Sequence, residues 1–173
     1  MRALVALGLT LSVVVLASSA TARSSGLPAP VTLDGVGGVV PGFSHAAAER
    51  RWGVRVPLDR GFVSPDCRTG AVRAGGLRGY AIFIDGRFRA VHFQKGAKTP
   101  KGITIGSTLA QLQRAYGSVL TSRPNKYTPG ARDYFVRRAR RPRHELRFDV
   151  SPQKRVTMIA FGDAVVRLVE GCS

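Results

Sequence analysis

Apolar positions along the chain fall into three patterns. The first is unbroken: residues 3–17, ALVALGLTLSVVVLA, follow Arg2 and lead into the small-residue stretch SSATA. A basic start, an apolar run and an A-x-A site predict a signal peptide over residues 1–22 that is removed on export. Fifteen apolar residues fall short of the ~20 that cross a bilayer, so no transmembrane segment is expected after cleavage. The second pattern is helical. Leu109, Leu112 and Tyr116 share one face at helical spacing, as do Ala48 and Trp52. The third alternates. YAIFIDGRFRAVHF, residues 80–93, reads as two strands joined by a tight Asp85-Gly86 turn, and HELRFDVSPQKRVTMIAF, residues 144–161, reads as a second hairpin with a longer turn.

The helical segments start and stop on recognisable residues. Thr108 with Gln111 three positions on is a capping box, and Ser44 holds the matching N-cap position without the box partner. Each helix of about eight residues ends at a glycine, Gly53 or Gly117, where a left-handed cap needs no Cβ. Trp52 and Tyr116, just before these glycines, are expected in the core. The two segments also resemble each other. GVVPGFSHAAAERRWG and GITIGSTLAQLQRAYG align without gaps with five identities: Gly38/Gly102, Gly42/Gly106, Ala46/Ala110, Arg50/Arg114 and Gly53/Gly117. The same offset pairs the first strands of the hairpins, and further candidate strands precede each hairpin near residues 68–73 and 132–138.

The expected fold class is therefore α+β, with two tandem repeats, each a short helix followed by a three- to four-stranded antiparallel sheet. Residues 23–33 are a flexible lead-in, residues 34–98 the first repeat and residues 99–173 the second. A G-x-x-x-G-[ST] entry, a short helix ending in aromatic-Gly and a meander, all repeated, resembles the tandem units of β-lactamase inhibitory protein. Single units of this kind occur in the SmpA/OmlA outer-membrane lipoproteins. The chain is also similar to exported actinobacterial proteins of unknown function that carry, as here, EGC near the C-terminus. This resemblance covers residues 34–173 and implies a non-catalytic protein that grips a partner with a sheet face.

Strand alternation sorts the hairpin residues onto two faces. Without interruption, Tyr80, Ile82, Ile84, Val91 and Phe93 lie under the helices, and Ala81, Phe83, Phe88, Ala90 and His92 face away. The second hairpin adds Glu145, Arg147, Val156, Met158 and Ala160 to the outward side. Phe83, Phe88, Arg147 and Met158 are then the candidate protein-binding face, a partly apolar surface dotted with arginine.

Charge narrows the class of partner. Twenty-seven Lys and Arg against ten Asp and Glu give a net charge of +17, which attracts anionic surfaces and says nothing about fold. Arg137, Arg138, Arg140, Arg141 and Arg143 crowd the stretch VRRARRPRHELR and form a candidate anion-binding tip, since guanidinium forks bind phosphate and carboxylate. No aromatic residue interleaves with that cluster, which disfavours nucleic acid. The expected partner is an anionic cell-envelope polymer or an acidic secreted protein. The two cysteines, Cys67 and Cys172, form an even count in an exported chain and predict a disulfide.

Catalytic signatures are absent from the sequence. It has no G-x-S-x-G, H-E-x-x-H or Walker motif, and its histidines, His45, His92 and His144, lie in different elements with no metal-ligand spacing. Asp85, Asp149 and Asp163 fall at expected turns. No cofactor and no metal are implied. The reading is a secreted or cell-wall-associated, non-catalytic binding module. An inhibitor of a secreted enzyme, acting through the outward sheet face, is the alternative, and an uncharacterised hydrolase comes after it.

Overall fold

The computed structural model describes residues 26–59, 64–137, 144–168 and Cys172. The expected signal peptide lies outside the described residues. A two-stranded sheet, β1 (Val31–Thr32) and β2 (Gly35–Val36), precedes helix α1 (His45–Trp52). Strands β3 (Cys67–Ala74), β4 (Leu77–Ile84) and β5 (Arg87–Lys95) follow, then helix α2 (Leu109–Tyr116). The chain finishes with β6 (Leu120–Pro124), β7 (Arg132–Arg137), β8 (Glu145–Val150), β9 (Val156–Gly162) and a 3-10 turn, Ala164–Arg167.

The caps follow from residue chemistry. Ser44 Oγ accepts from the Ala47 amide at 3.3 Å, and Gly53 closes α1 with φ at 64°. The Thr108–Gln111 box is complete, with the Thr108 amide donating to Gln111 Oε1 at 2.7 Å and the Gln111 amide donating to Thr108 Oγ1 at 3.2 Å. Gly117 departs from the expected left-handed cap. Its φ of 55° and ψ of −134° carry the chain into a 3-10 turn and on to β6.

The expected pair of helix-plus-sheet units is corrected by the strand order. Seven antiparallel strands form one continuous sheet, β3-β4-β5-β9-β8-β7-β6. The described protein is mostly β, with this sheet, the small β1–β2 ladder and two eight-residue helices. The physical reason is the edge. Separate sheets would leave the apolar strands β5 and β9 with unpaired backbone, and joining them removes both liabilities. Val91 pairs with Phe161, His92 with Ala160 and Phe93 with Ile159. Gly162 allows the close approach at the end of this seam, because a Cβ there would lie 2.7 Å from that of Ala90.

The lead-in is also tied down. The Val31 amide donates to Lys98 O at 2.9 Å, and the Trp52 indole donates to Val36 O at 2.8 Å. Val31 and Val36 join Trp52, Leu112, Tyr116 and the inner sheet face in the main core. Pro and Gly kept this segment from forming a helix, yet its valines still had apolar surface to bury.

Candidate functional site

The two sheet faces are set by a one-residue irregularity. Around the Asp85-Gly86 turn, Ile84 pairs with Arg87 and Phe83 with Phe88, but Ile82 then pairs with Ala90. Arg89 is the extra residue of a β-bulge, and such a slip exchanges the faces of everything beyond it. A second bulge occurs at Thr157, since Val150 pairs with Val156 and Asp149 with Met158. Phe83, Phe88, Val91, Phe93 and Val156 therefore share the helix-covered core.

The expected binding face is corrected accordingly. Phe83 and Phe88 are 1% and 0% exposed, and Phe88 meets Trp52 edge-on at 5.4 Å. Arg147 is also buried, at 1% exposure. Of the four candidate residues only Met158 is half-exposed. The outer face instead carries Ile82, Ala90, His92, Ala160, Arg147 and Asp149.

That outer face is built from ion pairs. Arg147 Nε donates to Asp149 Oδ1 at 2.6 Å, and its Nη2 lies 3.3 Å from Asp133 Oδ2. Its Nη1 donates to the carbonyls of Val166 and Leu168, both at 3.2 Å. Asp133 also accepts from Arg123 and from Asn125. Glu145 accepts from Arg167 at 2.6 Å and pairs with Arg137 at 3.0 Å, and Arg89 donates to Asp163 at 2.6 Å. Arg123 and Arg167 both stand over the Phe135 ring. Asp149, expected in a turn, is a strand residue committed to this network. The signal for it was Arg147 and Asp149 at strand spacing on one face.

The C-terminal segment closes one end of the face. Asp163 caps the 3-10 turn through the Val165 amide, and Val165 and Val166 pack on Ile82, Ala90 and Ala160. Cys172 is bonded to Cys67 at the start of β3, as the cysteine count predicts. The disulfide suits an oxidising compartment. No helix among the described residues is long and apolar enough to cross a membrane.

Burial shapes the titration of this face. Burial, aided by Arg147, lowers His92 to about 3, and among the described residues neither ring nitrogen has a hydrogen-bond partner. Tyr80 stacks on the His92 ring at 4.8 Å. Burial raises Asp149 to about 6 against the pull of Arg147, and raises Glu145 against that of Arg137.

No protein-family model matches the chain, and no curated protein does. Among solved structures it is similar to a cysteine-rich secretory protein from Staphylococcus aureus subsp. aureus Mu50, with a TM-score of 0.42 and 11% identity. The match covers 71% of this chain and 44% of that one, so the chain spans less than half the length of that structure.

The histidines are not brought together. His45 bonds Val56 O, His144 bonds Leu33 O and His92 lies under Tyr80. No group of three metal-ligating side chains occurs among the described residues. The arginine-rich tip is only partly described: Arg137 is exposed and paired with Glu145, and Arg138, Arg140, Arg141 and Arg143 lie outside the described residues.

Proposed function

We propose that this protein is an exported, non-catalytic binding module that attaches to an anionic polymer of the cell envelope, after loss of residues 1–22. One observation carries the reading. Asp133, Glu145, Asp149 and Asp163 are each already held by an arginine on this sheet face or in the turn packed against it. The acids of this face therefore leave the remaining basic excess uncompensated, and a net charge of +16 after loss of Arg2 with the first 22 residues (17 − 1) draws the molecule to polyanions.

Such binding weakens with salt, as the Debye length falls from ~10 Å at 0.1 M to ~3 Å at 1 M. Purified protein is mixed with washed envelopes over this range and the bound fraction measured. Retention at 0.1 M and release at 1 M is expected. Protein that stays soluble at low salt, with no bound fraction on envelopes or on any soluble polyanion, would sink the reading.

A further inference from the structure

One row of the sheet sets like charges directly opposite one another. Arg73 on β3 pairs with Arg78 on β4, and Arg78 pairs with Lys95 on β5. All three are exposed, and none has an ion-pair partner among the described residues. Register partners share a face, so three cations stand side by side across three strands. Strand spacing of about 4.8 Å sets them along a line of about 10 Å at the backbone. Like charges opposite each other destabilise a sheet. Protection of an exposed edge explains a cation on β3, but not one on β5, which is an interior strand. The row also stands clear of the C-terminal segment, which packs at the other end of these strands beside Ile82 and Ala90.

We infer that Arg73, Arg78 and Lys95 form a seat for a linear phosphate-bearing polymer laid along the row. This rests on the reading that the protein binds a polyanion, and it assigns the place and the chemistry. Guanidinium forks match phosphate bidentately. Phosphate can link two neighbours in a backbone and keep a negative charge, so its charges run in line, as the cations do. Among the described residues the row offers no stacking platform for bases. Its neighbouring aromatic, Tyr80, is half-buried and stacked on His92, and the exposed Tyr127 follows β6, at the far edge of the sheet. A base-free polymer therefore fits better than nucleic acid.

The test uses the oxidised full chain after residue 22 and linear inorganic polyphosphate as probe, with affinity measured from 0.05 to 0.5 M salt. Each cation that contacts the polymer contributes about 0.7–0.9 to the slope of log affinity against log salt. The triple variant R73T/R78T/K95T is expected to lose about 2–3 from that slope and more than tenfold in affinity at 0.1 M salt. A control, R50S/R55S/R114S, removes three exposed arginines elsewhere and is expected to keep most of the affinity. R78K, which keeps the charge and loses the fork, is expected to keep the slope with severalfold weaker binding. The triple variant should melt no lower than wild type, because like-charge repulsion is relieved. Equal losses in the triple and control variants, or an R78K variant with unchanged affinity, would overturn the seat while polyanion binding stands. Tighter binding of polyglutamate or of a thymidylate homopolymer than of polyphosphate would overturn the phosphate assignment. Wild type that binds none of the three would defeat the underlying reading as well.

Discussion

Asp133 and Asp149 face each other directly across the β7–β8 pair, two carboxylates held in register by the single guanidinium of Arg147. Alone, the pair would repel in a site where Asp133 has no exposed side-chain surface. Removing the arginine leaves Asp149 without its cation and Asp133 with only Arg123 and Asn125. Arg147→Met is expected to cost about 3–5 kcal/mol in urea denaturation, in line with other broken buried pairs. Adding Asp133→Asn and Asp149→Asn to that variant should restore at least half of the loss. A triple variant no more stable than Arg147→Met would show that the arginine acts through packing alone.

His92 and Asp149 make opposite contributions to acid stability. The folded pKa of His92 lies below its ordinary value, so its stabilisation is full above pH 6.5 and is lost as pH falls toward about 3. That of Asp149 lies above its ordinary 3.8, so its stabilisation is full below that value and is lost as pH rises through about 6. Between about pH 4 and 6 the two slopes oppose. His92→Phe removes one of them and two unpartnered nitrogens. Relative to wild type its stability is expected to grow as pH falls below 6.5, by at most about 1.4 kcal/mol per unit. Parallel stability curves for the two proteins from pH 7 to 4 would rule out a depressed His92.

Phe83 and Phe88 are core residues, which separates them from any binding surface. Truncating either to Ala should cost about 3–5 kcal/mol of stability. At temperatures where the variants remain folded, affinity for polyphosphate should be unchanged. A variant that binds more weakly at full stability would return these side chains to the surface.

The placement of these phenylalanines shows where sequence patterns stop being informative. Local signals were legible: the Thr108–Gln111 box, the Gly53 cap, the Asp85-Gly86 turn and the two cysteines each carry their own chemistry within a few residues. The bulge at Arg89 does not. Arg89 and Ala90 are each acceptable on either face, so the alternation reads equally well with or without the extra residue, yet one residue decides which face is buried. The β5–β9 seam was equally hidden, because pairing between distant strands leaves no mark in either strand. Strand β6 was missed since it is short, exposed and ends at Pro124 on the sheet edge. The cation row was present in the sequence as Arg73, Arg78 and Lys95, but only the register makes them neighbours.

The Cys67–Cys172 bond spans 105 residues and anchors the C-terminal segment onto the outer sheet face. Two effects of opening it are separable. Globally, closing a loop of this length stabilises by about 4–5 kcal/mol on the chain-entropy account, so the Cys67→Ser/Cys172→Ser variant should unfold at correspondingly lower urea. Locally, Val165 and Val166 belong to a small second core shared with Ile82, Ala90 and Ala160, apart from the main one. Without the bond, this segment is held by Arg89–Asp163, by Arg167–Glu145 and by carbonyls bound to Arg147 and Arg123. Small apolar contact areas and half-exposed ion pairs mark a region that opens before the whole. Hydrogen exchange at the Val166 and Leu168 amides should therefore quicken on reduction, and trypsin should cut after Arg167, while the β5–β9 amides of Val91 and Phe93 keep their protection. Simultaneous loss of protection at both places would mean that the segment and the sheet unfold as one unit.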